Sequence, residues 1–95
     1  MIRKQADNAG LVKVTFALPD SGVPVSVVAD FNGWNPLAHP LRKRTNGTRS
    51  VAVALPAGTE ARFRYLADEG VFFDDPDGDA IEPNGMGGTH TLVLA

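Results

Sequence analysis

Val25-Ser26-Val27-Val28-Ala29-Asp30-Phe31-Asn32-Gly33-Trp34-Asn35-Pro36 begins as a strand and ends as a loop. Val25, Val27 and Ala29 alternate with Ser26, Val28 and Asp30, the period-2 pattern of a half-buried strand. Asn32-Gly33 interrupts it, because Asn and Gly tolerate positive φ and β-branched residues do not. Trp34, the only tryptophan, follows that break directly. Pro36 has no amide to give a ladder and closes the segment. The widest flat side chain of the protein therefore sits in a loop at a strand end. Two positions are open to it: a core site, since Trp is highly buried on average, or an exposed one between Asn-Gly and Asn-Pro.

Outward from this stretch the same alternation recurs. Residues 11–18 put Val12, Val14, Phe16 and Leu18 on one face and Lys13, Thr15 and Ala17 on the other. Pro19-Asp20-Ser21-Gly22 is a turn. A short strand is expected over residues 41–44, then a hairpin at Asn46-Gly47 and a return strand over 49–55. Pro56-Ala57-Gly58 turns into a strand over 59–67, with Phe63 and Tyr65 opposite Arg62 and Arg64. Residues 71–74 and 89–94 read as further strands, and 75–88, rich in Asp, Pro and Gly, as a long loop. No segment keeps a 3.6-residue period, so no helix longer than a turn is expected. Residues 1–10 are polar and expected to form a flexible terminus; 11–95 form one domain. The fold class is all-β: an immunoglobulin-like antiparallel β-sandwich of about seven short strands, with a small barrel as the alternative. Shared parity predicts a core of Val12, Val14, Phe16, Val25, Val27, Val53, Leu55, Phe63 and Tyr65.

Composition narrows the chemistry. The 95 residues include no cysteine, hence no disulfide, thiolate metal site or thiol nucleophile. A net charge of −2 gives no reason to expect nucleic acid or an anionic membrane as partner. No apolar stretch follows Arg3 and Lys4, so a signal peptide is not expected, and no run reaches the length of a membrane span. His39 and His90 lack companions at metal-site spacing, and no Gly-x-Ser-x-Gly occurs around Ser21, Ser26 or Ser50. Asp74, Asp75, Asp77, Asp79 and Glu82 crowd one loop. Gly78 falls at the fourth position of Asp75-x-Asp77-Gly-Asp79, not the sixth that a helix-flanked calcium loop needs, so the loop reads as structural. Arg42, Lys43, Arg44 and Arg49 flank the Asn-Gly turn without interleaved aromatics. They read as a solvated hairpin that protects a sheet edge, with an anion or nucleic-acid patch as the alternative. No catalysis, metal or cofactor is expected.

Phe31-Asn32-Gly33-Trp34-Asn35, Leu55-Pro56-Ala57-Gly58, Phe63-Arg64-Tyr65, Asp75-Pro76 and Gly87-Gly88-Thr89 occur in this order over residues 11–95. In order and spacing they resemble the carbohydrate-binding module at the front of isoamylases and branching enzymes. They are also similar to the glycogen-binding domain of the AMP-activated protein kinase β subunit. The resemblance implies an α-glucan (glycogen or a starch-like oligosaccharide) as ligand and no catalysis. It implies a sugar platform at Trp34, identical to the family residue, and a second at Phe72, where the kinase-associated domains have Trp. Arg64 stands where the family has lysine. Met86 is the nearest match to the aliphatic side chain that threads the sugar helix. His90 falls near a usual asparagine, and Asn35 adds to the polar rim. The family carries this module beside a catalytic barrel of about 250 residues, too large for this chain. The chain is therefore expected to act alone, in trans with a glucan-metabolising enzyme, or as an excised module, in the cytoplasm. The competing expectation is a protein–protein interaction domain on the same fold with a degenerate sugar site.

Overall fold

A computed structural model describes residues 1–85 and 87–95, with the backbone alone of Glu69. Nine strands are present among them: β1 (Ile2–Ala6), β2 (Leu11–Pro19), β3 (Val25–Ala29), β4 (Arg42–Lys43), β5 (Thr48–Pro56), β6 (Glu60–Ala67), β7 (Val71–Phe73), β8 (Ala80–Pro83) and β9 (Thr89–Leu94). The helical content is two 3-10 turns, Asp30–Asn32 and Asp68–Gly70. One sheet has the order β1-β2-β5-β4 and the other β3-β6-β9-β8, with β7 pairing the remaining length of β6. Every pairing is antiparallel. The fold is the expected all-β sandwich.

Register carries the core. Val12 faces Leu55 and Phe16 faces Val51 across the β2–β5 ladder. Ala29 faces Phe63 and Val27 faces Tyr65 across β3–β6. Because facing residues share a side, each sheet presents one apolar surface, and the two surfaces close on each other. Phe16 and Phe63 meet edge to face at 4.7 Å, and Phe63 and Tyr65 at 5.4 Å. Each such fully buried ring contributes roughly 1.5–3 kcal/mol. Eight of the nine expected core residues are buried; Val53 is half-buried and packs against them. Val28, on the outward parity of β3, is 3 % exposed and faces Arg64 across the ladder.

Three differences from the sequence reading have physical causes. Residues 1–10, expected as a flexible terminus, include β1, which pairs with β2 from Ile2↔Phe16 to Ala6↔Val12. Its one large apolar residue is Ile2, which packs on the core; the ladder is held by backbone groups, which composition does not show. The loop expected over 75–88 contains β8, whose Pro83 is tolerated because β8 is an edge strand. The strand expected over 41–44 shortens to Arg42–Lys43, with Leu41 buried beside it as an anchor.

Gly78 fits because it has no side chain. A Cβ there would lie 2.1 Å from Cγ2 of the buried Thr91 and 3.2 Å from the Leu92 carbonyl oxygen. Gly78→Ala is expected to destabilise the domain by about 1–3 kcal/mol, the range for overpacking. A melting temperature equal to that of the wild type would contradict this.

Candidate functional site

The tryptophan loop is built by Asn32. Its Oδ1 accepts from the Ala29 amide at 3.0 Å and its Nδ2 donates to the Val27 carbonyl at 3.0 Å. The same Nδ2 lies 2.9 Å from His39 Nδ1. Thus braced, the chain passes through two left-handed residues, Gly33 (φ 66°) and Trp34 (φ 59°). Trp34 closes the bend by donating its amide to the Ala29 carbonyl at 2.8 Å. Glycine adopts this region freely, but a tryptophan there is strained by roughly 1–2 kcal/mol. The bend keeps the indole out of the core, 44 % exposed. Asparagine at position 32 is thereby explained, and so is His39, which packs edge to face on Phe31.

The outer face of the β3-β6-β9-β8 sheet continues from the indole. Trp34, Arg64, Asn84 and His90 line one open cavity of about 370 Å³. The Trp34 and His90 rings are 6.5 Å apart and inclined at 33°. His90 Nε2 is 3.2 Å from Glu82 Oε1, and that oxygen also accepts from Arg62 Nε at 3.1 Å, so the imidazole is oriented from behind. The Arg64 guanidinium lies over the Phe72 ring, 5.1 Å from its centroid. Arg64 Nε is buried without a hydrogen-bond partner, and its nearest carboxylate oxygen, on Asp74, is 3.8 Å away. Phe72 is 48 % exposed and faces Leu66 across β6–β7, on the same side as Arg64. One strip thus runs Trp34, His90, Arg64, Phe72.

Asn35 is not among the residues lining the cavity; its Oδ1 accepts from the Leu37 amide at 2.9 Å, an Asx turn. Met86 lies outside the described residues. Asn84, which the sequence reading missed, lines the cavity from the β8–β9 turn, where its Oδ1 accepts from the Gly88 amide at 3.1 Å. Recognising β8 would have placed Asn84 at a hairpin end beside the strand of His90.

The acidic loop divides its work. Asp75 is 1 % exposed and accepts from the Tyr65 hydroxyl at 2.6 Å and the Asp77 amide at 2.8 Å. Its own amide donates to Thr91 Oγ1 at 3.1 Å. Asp79 pairs with Lys4 at 2.7 Å, and Asp74 accepts from the Thr89 and Thr91 hydroxyls. Among the described residues no group of three or more His, Asp or Glu is arranged to hold a metal. Burial, then the hydrogen bond and charge of Asp75, push the Tyr65 hydroxyl far above its usual value of 10.0. For an acid whose folded value is raised, stability is intact below the unfolded value and falls as pH rises past it. Alkaline unfolding is therefore expected to begin near pH 10, and Tyr65→Phe to flatten that limb. A circular-dichroism titration in which both proteins lose structure in parallel would contradict this.

The fold and the open aromatic strip define a class: a small β-sandwich domain with a surface-exposed tryptophan site. No protein-family model matches the chain. The chain is similar to part of the 1,4-alpha-glucan branching enzyme of Hydrogenovibrio crunogenus, 36 % identical over 86 residues, covering 83 % of this chain and 11 % of that protein. It is also similar to part of the 1,4-alpha-glucan branching enzyme of Xanthomonas campestris pv. campestris, 44 % identical over 41 residues, covering 43 % of this chain and 6 % of that protein. The chain thus spans about a tenth or less of the length of these relatives. In fold it is similar to a ferric enterobactin esterase from Salmonella typhimurium, with a TM-score of 0.76 and 12 % identity over 98 % of this chain and 33 % of that one. That likeness concerns the fold alone. No helix among the described residues is long and apolar enough to cross a membrane.

Proposed function

We propose that this chain is a non-catalytic α-glucan-binding module that works in the cytoplasm, beside or in trans with a glucan-metabolising enzyme. The carrying observation is the convergence of Trp34, Arg64 and His90 on one open cavity with Phe72 next to it. The similarity to segments of branching enzymes supports the ligand class. A glucose ring offers a C–H face that stacks on the indole and hydroxyls that need partners around it. Trp34 takes the first ring face and Phe72 a second. The guanidinium of Arg64 lies over Phe72 and lines the cavity, where its Nη groups can donate to sugar hydroxyls, and the imidazole of His90 is held in place by Glu82. With one strong platform on an open surface, affinity falls at about 10 μM to 1 mM, or roughly −7 to −4 kcal/mol.

Native electrophoresis through gels containing glycogen or amylose tests the reading. Retardation relative to a polysaccharide-free gel is the expected result. Unchanged mobility in both polysaccharides would transfer the site to the protein–protein interaction reading.

A further inference from the structure

The opposite face of the sandwich carries a second feature. Of the nine Lys and Arg residues, Lys4, Lys43, Arg49, Arg62 and Arg64 each lie within 4.0 Å of a carboxylate. Arg3, Lys13, Arg42 and Arg44 have no such partner among the described residues. All four project from the outer face of the β1-β2-β5-β4 sheet. Val12, Val14 and Phe16 point inward, so Lys13 and Thr15 point outward, and Arg3 faces Thr15. Arg42 faces Ser50, which faces Ala17, and Arg44 follows on the same parity. The ladder positions of this face hold no carboxylate: Arg3, Gln5, Lys13, Thr15 and Ala17 face one another and Ser50, Ala52 and Ala54. Unpaired cations gathered on one face of a chain with net charge −2 are not a general excess of base.

A cavity of about 100 Å³ opens in this face, lined by Arg3 and Arg44 together with Thr15, Thr48, Ser50 and Asn46. Arg44 is fixed there, with Nε donating to Ser50 Oγ at 2.9 Å and Nη2 to the Ser50 carbonyl at 3.3 Å. Its other guanidinium hydrogens remain for a ligand. The volume admits several water-sized groups, room enough for one tetrahedral oxyanion. We infer that this cavity is a binding site for phosphate or a phosphate monoester, clamped between Arg3 and Arg44. Two guanidiniums give forked, charge-assisted donors, and the hydroxyls beside them suit the remaining oxygens. Lys13 and Arg42 raise the local anion concentration without entering the cavity. The site is independent of the glucan face, which lies on the other sheet.

Amide-resolved NMR titration with inorganic phosphate, at ionic strength held constant with sodium chloride, tests it. The expected result is saturable shifts at Thr15, Thr48 and Ser50. Arg3→Ala and Arg44→Ala, each checked for an intact amide spectrum, are expected to weaken binding roughly tenfold. Glucose 6-phosphate in a parallel arm identifies the source: tighter binding than phosphate marks a sugar ester, weaker binding the free anion. Non-saturating shifts, shifts reproduced by chloride, or an affinity unchanged in both variants would overturn the site. Tighter binding of a short oligonucleotide, lost equally in Lys13→Ala, would overturn it in favour of a nucleic-acid face.

Discussion

Asp75→Ala is expected to be the most damaging single substitution of a polar residue, costing about 3–5 kcal/mol. The carboxylate is 1 % exposed and fastens the 75–78 turn to the core through the Tyr65 hydroxyl, itself fully buried. Removing it strands that hydroxyl and the Asp77 amide, each at about 1–3 kcal/mol, and leaves a void as well. A 95-residue domain has a total stability near the lower end of roughly 5–15 kcal/mol. The expected fall in melting temperature is therefore roughly 15–30 °C. Asp75→Asn retains an acceptor for the Asp77 amide and is expected to recover part of the loss. Chemical denaturation showing a cost below about 1 kcal/mol for Asp75→Ala would mean that the Tyr65–Asp75 contact is not a structural tie.

The second large effect separates binding from folding. Trp34→Ala is expected to remove detectable glucan binding, because the indole is the widest apolar face in the cavity and is held rigid by the Asn32 brace. The domain should stay folded, since the side chain is half-exposed. Trp34→Gly sharpens the contrast. It removes the ring and the left-handed strain at φ 59° together, so stability is expected to hold or rise by about 1 kcal/mol while binding is lost. Phe72→Ala and Arg64→Ala are expected to weaken binding by less. The phenyl ring is smaller than the indole, and Arg64 contributes rim hydrogen bonds and stem packing. Unfolding of both Trp34 variants would show that the indole supports the core.

The sandwich was readable wherever burial imposes alternation. In β2, β3 and β6 every second residue is apolar, and those residues form the core. It was unreadable where backbone pairing does the holding. β1 offers one large apolar residue, and β8 sits in a stretch dense in Asp, Pro and Gly. Asp75 shows the same limit: within Asp-Pro-Asp-Gly-Asp it looks like any turn carboxylate, and only the packing of β6 against β9 reveals it as buried. At the proposed glucan face, strand parity placed Arg64 on the open side, and Phe72 was implied by the family resemblance alone. The turn chemistry of Asn32-Gly33 placed Trp34 off the strand. Asn84 depended on the unrecognised β8, and Asn35 was absorbed by its own Asx turn.

Trp34 is proposed as the sugar platform. As the only tryptophan, it alone supplies the indole fluorescence. Titration of the folded protein with maltoheptaose should change that fluorescence along a saturable curve with a dissociation constant of about 10 μM to 1 mM. No change up to millimolar maltoheptaose would contradict it.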